Sequence, residues 1–462
     1  MTHQYVLYKF GRLLEFIHVI FQDDELHASY WNNKAKQSLH KAMKMQRDLH
    51  QAKNIILFLG DGMGVTTVSA ARILKGQLAG RSGEENNLFI DTFPHVALSK
   101  TYNVDQQMPD SAGTATAYLC GVKANYGTIG VTAATTRYNC SATFGNEVTS
   151  ILHRAKQAGK SVGIVTTTRV QHASPSAAYA HSANRNWYAD SDLTDEAIEN
   201  GCRDIAYQLV HNTEIDVILG GGRQYMFSKS AFDPEYPTSK GDRNDGRNLV
   251  DEWTSTKTNV RYVWNKAQFD DVKPATTDFL MGLFEPKDCR YELERDPTMD
   301  PSLTEMTEKA IKILSKNPKG FFLFVEDKTC STILGVSRGL ADDHKHFTTA
   351  VYGNGPGYQI VNGTRPDVNQ SVASDNNYKQ QAPVPIDSET HGIEDVAIYA
   401  KGPMSHLFHG VQEQNYIPHV MAYAACIEPY DTCNLTPYNH VAAAYPSLML
   451  LLISFLFTYH SV

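Results

Sequence analysis

Residues 54–59 read NIILFL and run without a break into Gly60, Asp61 and Gly62. A short, nearly continuous apolar run is typical of a strand that is buried on both faces of a sheet. Similar runs are SVGIV at 161–165, IDVIL at 215–219, FFLFV at 321–325 and DVAIYA at 395–400. We therefore predict five strands, and an acidic residue follows the first and the fourth of them, Asp61 and Glu326.

Helical patterns lie between these strands. Residues 147–156 place apolar side chains on one face, and a second apolar face starts near Asp195 and carries Ile198, Cys202, Ile205 and Leu209. Residues 302–316 open with a serine and a glutamate at capping-box spacing, Ser302 and Glu305. Alternating strands and helices predict an α/β fold with a central, mostly parallel sheet flanked by helices. Such sheets bind ligands at the carboxyl ends of their strands, where the two acidic residues lie.

Composition excludes several classes of protein. The chain has 462 residues, of which 42% are hydrophobic and 20% are charged, and its net charge is -8. This composition argues against long disorder, and the acidic balance argues against nucleic-acid binding. Seven cysteines without a CxxC pair exclude a zinc ribbon. Four N-x-Ser/Thr sequons favour glycosylation in a secreted, oxidising setting, at Asn139, Asn362, Asn369 and Asn434.

Both ends of the chain resemble processing signals. Residues 447–457 read SLMLLLISFLF, which is too short to cross a bilayer but fits the removable tail of a GPI-anchor signal. The alternative is a buried C-terminal helix. Residues 1–22 contain an interrupted apolar stretch and are interpreted as a degraded leader, with a plain N-terminal helix as the alternative. The expected organisation is a folded domain over 23–437 and an anchor signal over 438–462.

The segment around Asp61 favours a metal ligand. Residues 60–64 read GDGMG, which lacks the GxGxxG spacing of a dinucleotide-binding loop. The glycines instead leave space around the carboxylate, and a carboxylate without a neighbouring cation suits a metal ion. The alternative is that Asp61 caps the next helix.

Two other segments carry residues suited to phosphate chemistry. Ser111 lies in the small-residue stretch PDSAGTATA, and free N–H groups at a helix start favour an anion such as phosphate. The alternative is that Ser111 is an ordinary helix cap. His172 and Ser174 follow the second predicted strand and offer ligands to a metal or to water. Arg185 offers the planar fork that binds two phosphate oxygens.

Several motifs along the chain together carry a family resemblance. They are NIILFLGDGMG, PDSAGTATAYLCGVK, VTTTRVQHASP with NRNWY, IDVILGGGRQYMF, GLFEP, YGNGPGY, HGIEDVAIYAKGP and HLFHGVQEQNYIPHVMAYAACIEPY. In these motifs the sequence resembles the membrane-anchored animal alkaline phosphatases, from about Trp31 to Pro437. The resemblance implies one α/β domain, usually in a homodimer. It also implies hydrolysis of phosphate monoesters through a phosphoserine, with two zinc ions and one magnesium ion.

The resemblance further implies a role for each candidate residue. Ser111 would be the nucleophile, Arg185 would hold phosphate, and Asp61 would bridge the second zinc and the magnesium. His391 would bind the first zinc. The remaining magnesium-site residues would be His172, Ser174 and Glu326.

A calcium site and two disulfides are also implied by the resemblance. The calcium ligands would be Glu235, the carbonyl of Phe284, Glu285 and Asp300. The disulfides would join Cys140 to Cys202 and Cys426 to Cys433. This pairing leaves three cysteines over, Cys120, Cys289 and Cys330.

The chain departs from the family after Glu326. The family continues there with a glycine pair and an Asp-x-x-x-His stretch, and later with an Asp-His pair, whereas residues 327–334 read DKTCSTIL. An internal truncation near 327–345 would remove most zinc ligands, and those left would be Asp61, Ser111 and His391. We therefore expect little or no hydrolysis from this chain. The alternative function is that of an inactive isoform or pseudoenzyme acting as a non-catalytic surface protein.

A charged segment and a related enzyme class need separate interpretation. Residues 342–346 read DDHKH, and we favour an exposed charged loop there over a His-x-His metal site. A sulfatase or phosphodiesterase relative is disfavoured because no Cys/Ser-x-Pro-x-Arg stretch surrounds Ser111. The expected protein is a homodimer that is GPI-anchored on the extracellular side of the plasma membrane.

Overall fold

The computed structural model describes residues 23–328, 336–337, 339–348, 351–373, 375 and 378–437. The strands in these ranges are β1 Ile55–Asp61, β2 His95–Lys100, β3 Ser161–Arg169, β4 Val217–Gly221, β5 Val260–Val263, β6 Phe279–Leu283, β7 Phe321–Lys328, β8 Asn354–Gly355, β9 Val384–Pro385, β10 Val396–Ala400 and β11 Val411–Glu413. The helices are α1 Ala28–Met43, α2 Val65–Leu78, α3 Ser111–Cys120, α4 Ile151–Gln157, α5 Ala173–Ser176, α6 Asp195–Glu199, α7 Ile205–His211, α8 Leu249–Ser255, α9 Lys266–Asp271, α10 Leu303–Leu314, α11 Gln370–Ala373 and α12 Tyr416–Ala425.

Six strands form the central sheet in the order β1-β7-β3-β4-β6-β5, and each neighbouring pair is parallel. Four of the five predicted strands lie in it, which confirms the α/β class. The register places Glu326 of β7 between Leu59 of β1 and Thr166 of β3. The carboxyl ends of these three strands therefore meet at one edge of the sheet.

Strand β7 shows why its sequence is apolar at every position. Phe322 and Phe324 belong to the hydrophobic core on one face of the sheet, together with residues of α3, α4 and α12. Phe321, Leu323 and Val325 belong to the core on the opposite face, which α10 covers. Because successive side chains of a strand point to opposite faces, burial of both faces removes the usual alternation with polar residues.

The fifth predicted strand is present but lies outside the central sheet. β10 pairs antiparallel with β2, and β11 pairs parallel with the same strand, so these three form a separate sheet. Four of the five residues of β10 are only partly buried. Its sequence was therefore sufficient to predict a strand but not to assign the sheet.

The predicted helices are partly confirmed. The capping box of α10 is present, because Ser302 Oγ accepts from Glu305 N at 3.2 Å and Glu305 Oε2 accepts from Ser302 N at 2.8 Å. The single helix predicted from Asp195 is wrong. The chain forms α6 and α7 instead, separated by a turn at Gly201, where φ is 80°. The side chain of Ile198, which was predicted to be core-facing, is mostly exposed.

Both expected disulfides are present. Cys140 bonds to Cys202 and Cys426 bonds to Cys433, with Cα–Cα distances of 6.0 and 5.6 Å. Cys120 and Cys289 are free thiols, and Cys330 lies outside the described residues. The first bond attaches the turn between α6 and α7 to a distant loop, which helps to explain the break in the predicted helix.

Several expectations concern the ends and the surface of the chain. The predicted leader at 1–22 and anchor signal at 438–462 lie outside the described residues. Within the described ranges, no helix is both long and apolar enough to cross a bilayer. The four sequon asparagines are exposed, as glycosylation requires: Asn139, Asn362, Asn369 and Asn434.

Candidate active site

The candidate nucleophile lies at the first position of α3. Asp110 is the N-cap of this helix, and its Oδ1 accepts from Gly113 N at 3.1 Å. Ser111 is therefore not the cap, and the alternative role considered for it from sequence is wrong. Its side chain is free to point towards the carboxyl ends of β1 and β7. The residue is 5% exposed, so little solvent reaches its hydroxyl.

Ser111 contacts both other residues that were predicted as zinc ligands. Its Oγ lies 3.0 and 3.2 Å from the two carboxylate oxygens of Asp61 and 2.9 Å from His391 Nε2. His391 Nε2 is also 3.4 Å from Asp61 Oδ1. The structure thus brings together three residues that are up to 330 positions apart in the chain, the distance from Asp61 to His391.

A second cluster lies on the other side of Asp61. One potential ligand atom each from Asp61, His172 and Glu326 lie within 4.8 Å of one another. Glu326 is fully buried, and Oε1 of Glu326 and Oγ of Ser174 are both buried without a hydrogen-bond partner. Burial, followed by the charge of Asp61, raises the pKa of Glu326 to about 7. Two carboxylates that face each other in a buried space, beside an unpaired oxygen, fit a divalent cation.

Arg185 is held beside the serine by a buried ion pair. Its Nη1 donates to Asp110 Oδ2 at 2.8 Å, and its Nη2 lies 3.2 Å from His172 Nε2. Asp110 also accepts from Asn103 Nδ2 at 2.9 Å. Burial opposes ionisation of Asp110, but Arg185 and the backbone hydrogen bonds from Gly127 and Gly113 together outweigh it and lower the pKa of this carboxyl. One carboxylate therefore caps the helix that carries Ser111 and also orients the guanidinium.

The four predicted calcium ligands surround a buried arginine. Arg223 donates from Nη2 to Glu235 Oε2 and from Nη1 to the carbonyl of Phe284, each at 2.6 Å. Tyr236 Oη donates to Glu285 at 3.1 Å. Burial, followed by the charges of Glu285 and Glu235, raises the pKa of Asp300 to about 7. The group is therefore rich in oxygen atoms, and one of them, Asp300 Oδ1, is buried without a partner.

The remaining candidate segment does not join the site. Asp342, Asp343 and His344 are exposed, and His346 is half-buried with its backbone N–H donating to Asp367 at 2.7 Å. Within the described part of the chain, the grouped metal-type side chains do not include either histidine of this segment. The position fits the exposed charged loop that was favoured from sequence.

Sequence reasoning missed several residues that support the site. Asp110 and Asn103 hold the start of α3, while Thr166 and Thr168 hold Glu326. The position of Asp110 directly before the serine, in the first turn of a helix, was a usable signal. The three consecutive threonines after the second predicted strand were another.

Comparison with known proteins supplies the family. The sequence model described as "Alkaline phosphatase" matches residues 52–330 and 327–427. The chain is 52% identical to the tissue-nonspecific alkaline phosphatase of Felis catus, over 88% of this chain and 90% of that protein. The human tissue-nonspecific isozyme is 51% identical over the same shares, and an alkaline phosphatase of Gadus morhua is 52% identical over 88% of this chain and 99% of that protein. The chain belongs to the alkaline phosphatase family.

Solved alkaline phosphatases share its fold. The enzyme from the Antarctic bacterium TAB5 superposes with a TM-score of 0.54 at 18% identity, over 82% of this chain and 99% of that one. The enzyme from a psychrophilic Shewanella superposes with a TM-score of 0.56 at 21% identity, over 80% of this chain and 99% of that one. At these identities the similarity concerns the fold alone, and it agrees with the parallel sheet described above.

Membership confirms the predicted enzyme class. Alkaline phosphatases are metal-dependent hydrolases of phosphate monoesters, and the comparisons give no support to a pseudoenzyme. They also show a difference in length. The alignment with the Felis catus enzyme spans 470 positions, whereas 88% of the 462 residues here is about 407 residues. About 60 aligned positions of that alkaline phosphatase therefore have no counterpart, and the two family matches meet at residues 327–330.

Proposed function

We propose that this alkaline phosphatase hydrolyses phosphate monoesters by attack of Ser111 Oγ on phosphorus. The observation that carries the proposal is the contact of one buried hydroxyl with a carboxylate and an imidazole at once, at 3.0 and 2.9 Å. A serine hydroxyl is a weak nucleophile near neutral pH and needs such partners. The start of α3 and Arg185 add the positive potential that a phosphate group requires.

Each residue of the site would have a separate role in the reaction. The hydroxyl of Ser111 gives its proton to Asp61, and Oγ forms a bond to phosphorus while the ester bond breaks. The leaving oxygen takes up a proton and departs as the alcohol. Water then attacks the phosphoserine, which releases inorganic phosphate and returns a proton to Oγ. Arg185 would bind the equatorial oxygens, and its pair with Asp110 keeps the guanidinium in one orientation. Zinc bound at this site would supply the Lewis acidity that lowers the pKa of the serine hydroxyl.

The residues that would hold each ion follow from their chemistry. We assign zinc to the oxygen and nitrogen donors around the serine, which are Asp61, Ser111 and His391. We assign magnesium to the oxygen-rich cluster, which consists of Asp61, Glu326, Ser174 and the neighbouring His172. The third group would hold calcium through oxygens of Glu235, Phe284, Glu285 and Asp300, two of which accept from Arg223 in this structure.

We propose that the internal truncation slows this chemistry. About 60 positions of the relatives are missing after β7, and of the residues described beyond Lys328 only His391 has a polar contact with Ser111. A catalytic zinc ion usually has three protein ligands, and two ions cannot both be satisfied by the donors that remain. We therefore expect slow turnover, in a domain that extends over 23–437.

We also infer the partners and the location of this protein. It would be a homodimer that is glycosylated at the four exposed sequons and attached to the outer face of the plasma membrane by a lipid anchor. The four exposed asparagines and the two disulfides support an extracellular setting.

The test is turnover of p-nitrophenyl phosphate at alkaline pH by the purified chain with added zinc and magnesium. The matched control is Ser111→Ala, which removes only the hydroxyl. Slow turnover that this substitution abolishes, with a phosphoserine trapped at position 111, is the expected result. Turnover that persists in Ser111→Ala would contradict the proposal.

A further inference from the structure

The hydroxyl groups of Thr166 and Thr168 contact one oxygen of Glu326 and not the other. Thr166 Oγ1 donates to Glu326 Oε2 at 2.7 Å, and Thr168 Oγ1 lies 3.2 Å from the same oxygen, 2.8 Å from Thr166 Oγ1 and 3.1 Å from the Arg169 carbonyl. The two threonines are fully buried, as is the glutamate. Oε1 of Glu326 is buried as well and accepts no hydrogen bond of good geometry. The threonines thus engage one side of the carboxylate only.

The backbone holds this arrangement in place. Thr166 pairs directly with Glu326 in the register between β3 and β7, so their side chains leave the sheet on the same face. Thr168 N donates to Thr166 Oγ1 at 2.9 Å. The single hydroxyl proton of Thr166 has two acceptors in reach, Glu326 Oε2 at 2.7 Å and Thr168 Oγ1 at 2.8 Å, and the carboxylate is the stronger acceptor. Thr167, between them, points to the opposite face and donates to Asp327 Oδ1 at 2.9 Å.

We infer that Thr166 and Thr168 are positioning residues that make Glu326 a one-oxygen ligand. This inference rests on the proposed magnesium site. With Oε2 accepting from the Thr166 hydroxyl and contacted by that of Thr168, the carboxylate offers mainly Oε1 to an ion. Magnesium accepts single carboxylate oxygens in a tight octahedron, whereas calcium readily takes both oxygens of one carboxylate. The threonine pair therefore selects magnesium over calcium at this position.

The experiment titrates the full chain with Mg²⁺ and, separately, with Ca²⁺ by isothermal calorimetry. Thr166→Val removes the donor at nearly constant shape, and Thr166→Ser keeps the hydroxyl. Thr167→Val is the matched control, since it removes a hydroxyl from the same strand on the other face. Glu326→Gln defines the heat that does not come from this site. Thermal unfolding without metal checks that each variant is folded.

We expect Thr166→Val to weaken Mg²⁺ binding by about tenfold and Ca²⁺ binding much less, because loss of a partner around a ligand typically costs 10–100-fold in metal affinity. Thr166→Ser and Thr167→Val should stay within about threefold of the unchanged chain, and Thr168→Val should fall between. Equal weakening for both ions, or unchanged Mg²⁺ affinity, would overturn the inference. If Glu326→Gln also leaves Mg²⁺ binding unchanged, the proposed magnesium site itself fails.

Discussion

The part of the active site that precedes Lys328 differs sharply from the part that follows it. In the first part, Asp61 and Glu326 lie in β1 and β7, and Ser111 begins the capped helix α3. His172 and Arg185 lie in the segment that follows β3. The second part contributes His391, whose side chain is 35% exposed. Between Lys328 and His391 the described elements are two strands of two residues each and one helix of four.

This difference separates two requirements of the proposed reaction, which are binding of the phosphate group and activation of the nucleophile by metal ions. The proposed phosphate-binding arginine, nucleophile and magnesium ligands all lie in the first part. The proposed activation of the nucleophile by zinc would also need the second part, because most zinc ligands expected from the family fall in the missing positions. The proposed mechanism therefore assigns phosphate binding to the first part and places most of the zinc binding in positions that are absent here.

The largest effect should come from restoring the missing positions. We expect a chain that carries the roughly 60 absent positions of the Felis catus relative to exceed the present chain in kcat/KM by about 1,000-fold or more, since metal activation is worth several kcal/mol. Hydrolysis of p-nitrophenyl phosphate measures the difference. The same graft carrying Ser111→Ala is the control. Equal turnover with and without the graft would mean that the described residues already suffice.

The next largest effect should come from removing the aspartate of a buried Asp–Arg pair, compared with the aspartate of an exposed pair. Asp110–Arg185 and Asp343–Arg365 have N–O distances of 2.8 and 2.7 Å, but the carboxylates are 3% and 37% exposed. Asp110→Ala should cost about 3 kcal/mol of unfolding free energy, because it leaves a half-buried guanidinium without its partner. Asp343→Ala should cost much less, because an ion pair at the surface adds little to stability. Urea unfolding measures both values, and similar losses would remove the distinction between the two parts.

Replacement of the phosphate-binding arginine should have a smaller effect. Arg185→Lys keeps the charge but loses the planar fork, so binding of inorganic phosphate should weaken by about tenfold, the cost of one charge-assisted hydrogen bond. Calorimetric titration with phosphate gives the affinity. Arg365→Lys, in the second part of the chain, serves as the control and should change nothing. An unchanged affinity in Arg185→Lys would exclude bidentate binding.

The smallest effect should come from Glu413 of β11, which forms ion pairs with two lysines of the first part of the chain. Burial acts against ionisation of Glu413, but Lys100 and Lys123 outweigh it and lower its pKa to about 2. A lowered pKa stabilises the fold above the ordinary value of 4.5, and this stability is lost as the pH falls from 4.5 towards 2. Glu413→Gln should therefore flatten the fall in unfolding free energy over that range, as followed by circular dichroism. An unchanged pH profile would contradict the ion pairs.

Much of the fold was accessible from the sequence because burial on both faces has a plain signature. The uninterrupted apolar runs of β1, β3, β4 and β7 predicted a parallel sheet, and Ser302 with Glu305 predicted the start of α10. The helix predicted from Asp195 failed because the backbone at Gly201 turns out of the helix. Ile205 and Leu209 beyond the glycine are buried as predicted, whereas Ile198 before it is exposed. Periodicity alone could not predict that break.

The residue types in the active site were likewise predicted, but several of their relations were not. The sequence by itself determined the family and the parallel sheet, because local pattern and motif carry that information, and it supplied the serine, the arginine and the metal-type residues as candidates. Only the tertiary structure decided that Asp110 caps the helix while orienting Arg185, and that two threonines occupy one oxygen of Glu326. These contacts join strands and helices that are remote in the chain, so their geometry depends on packing and register and not on any local pattern.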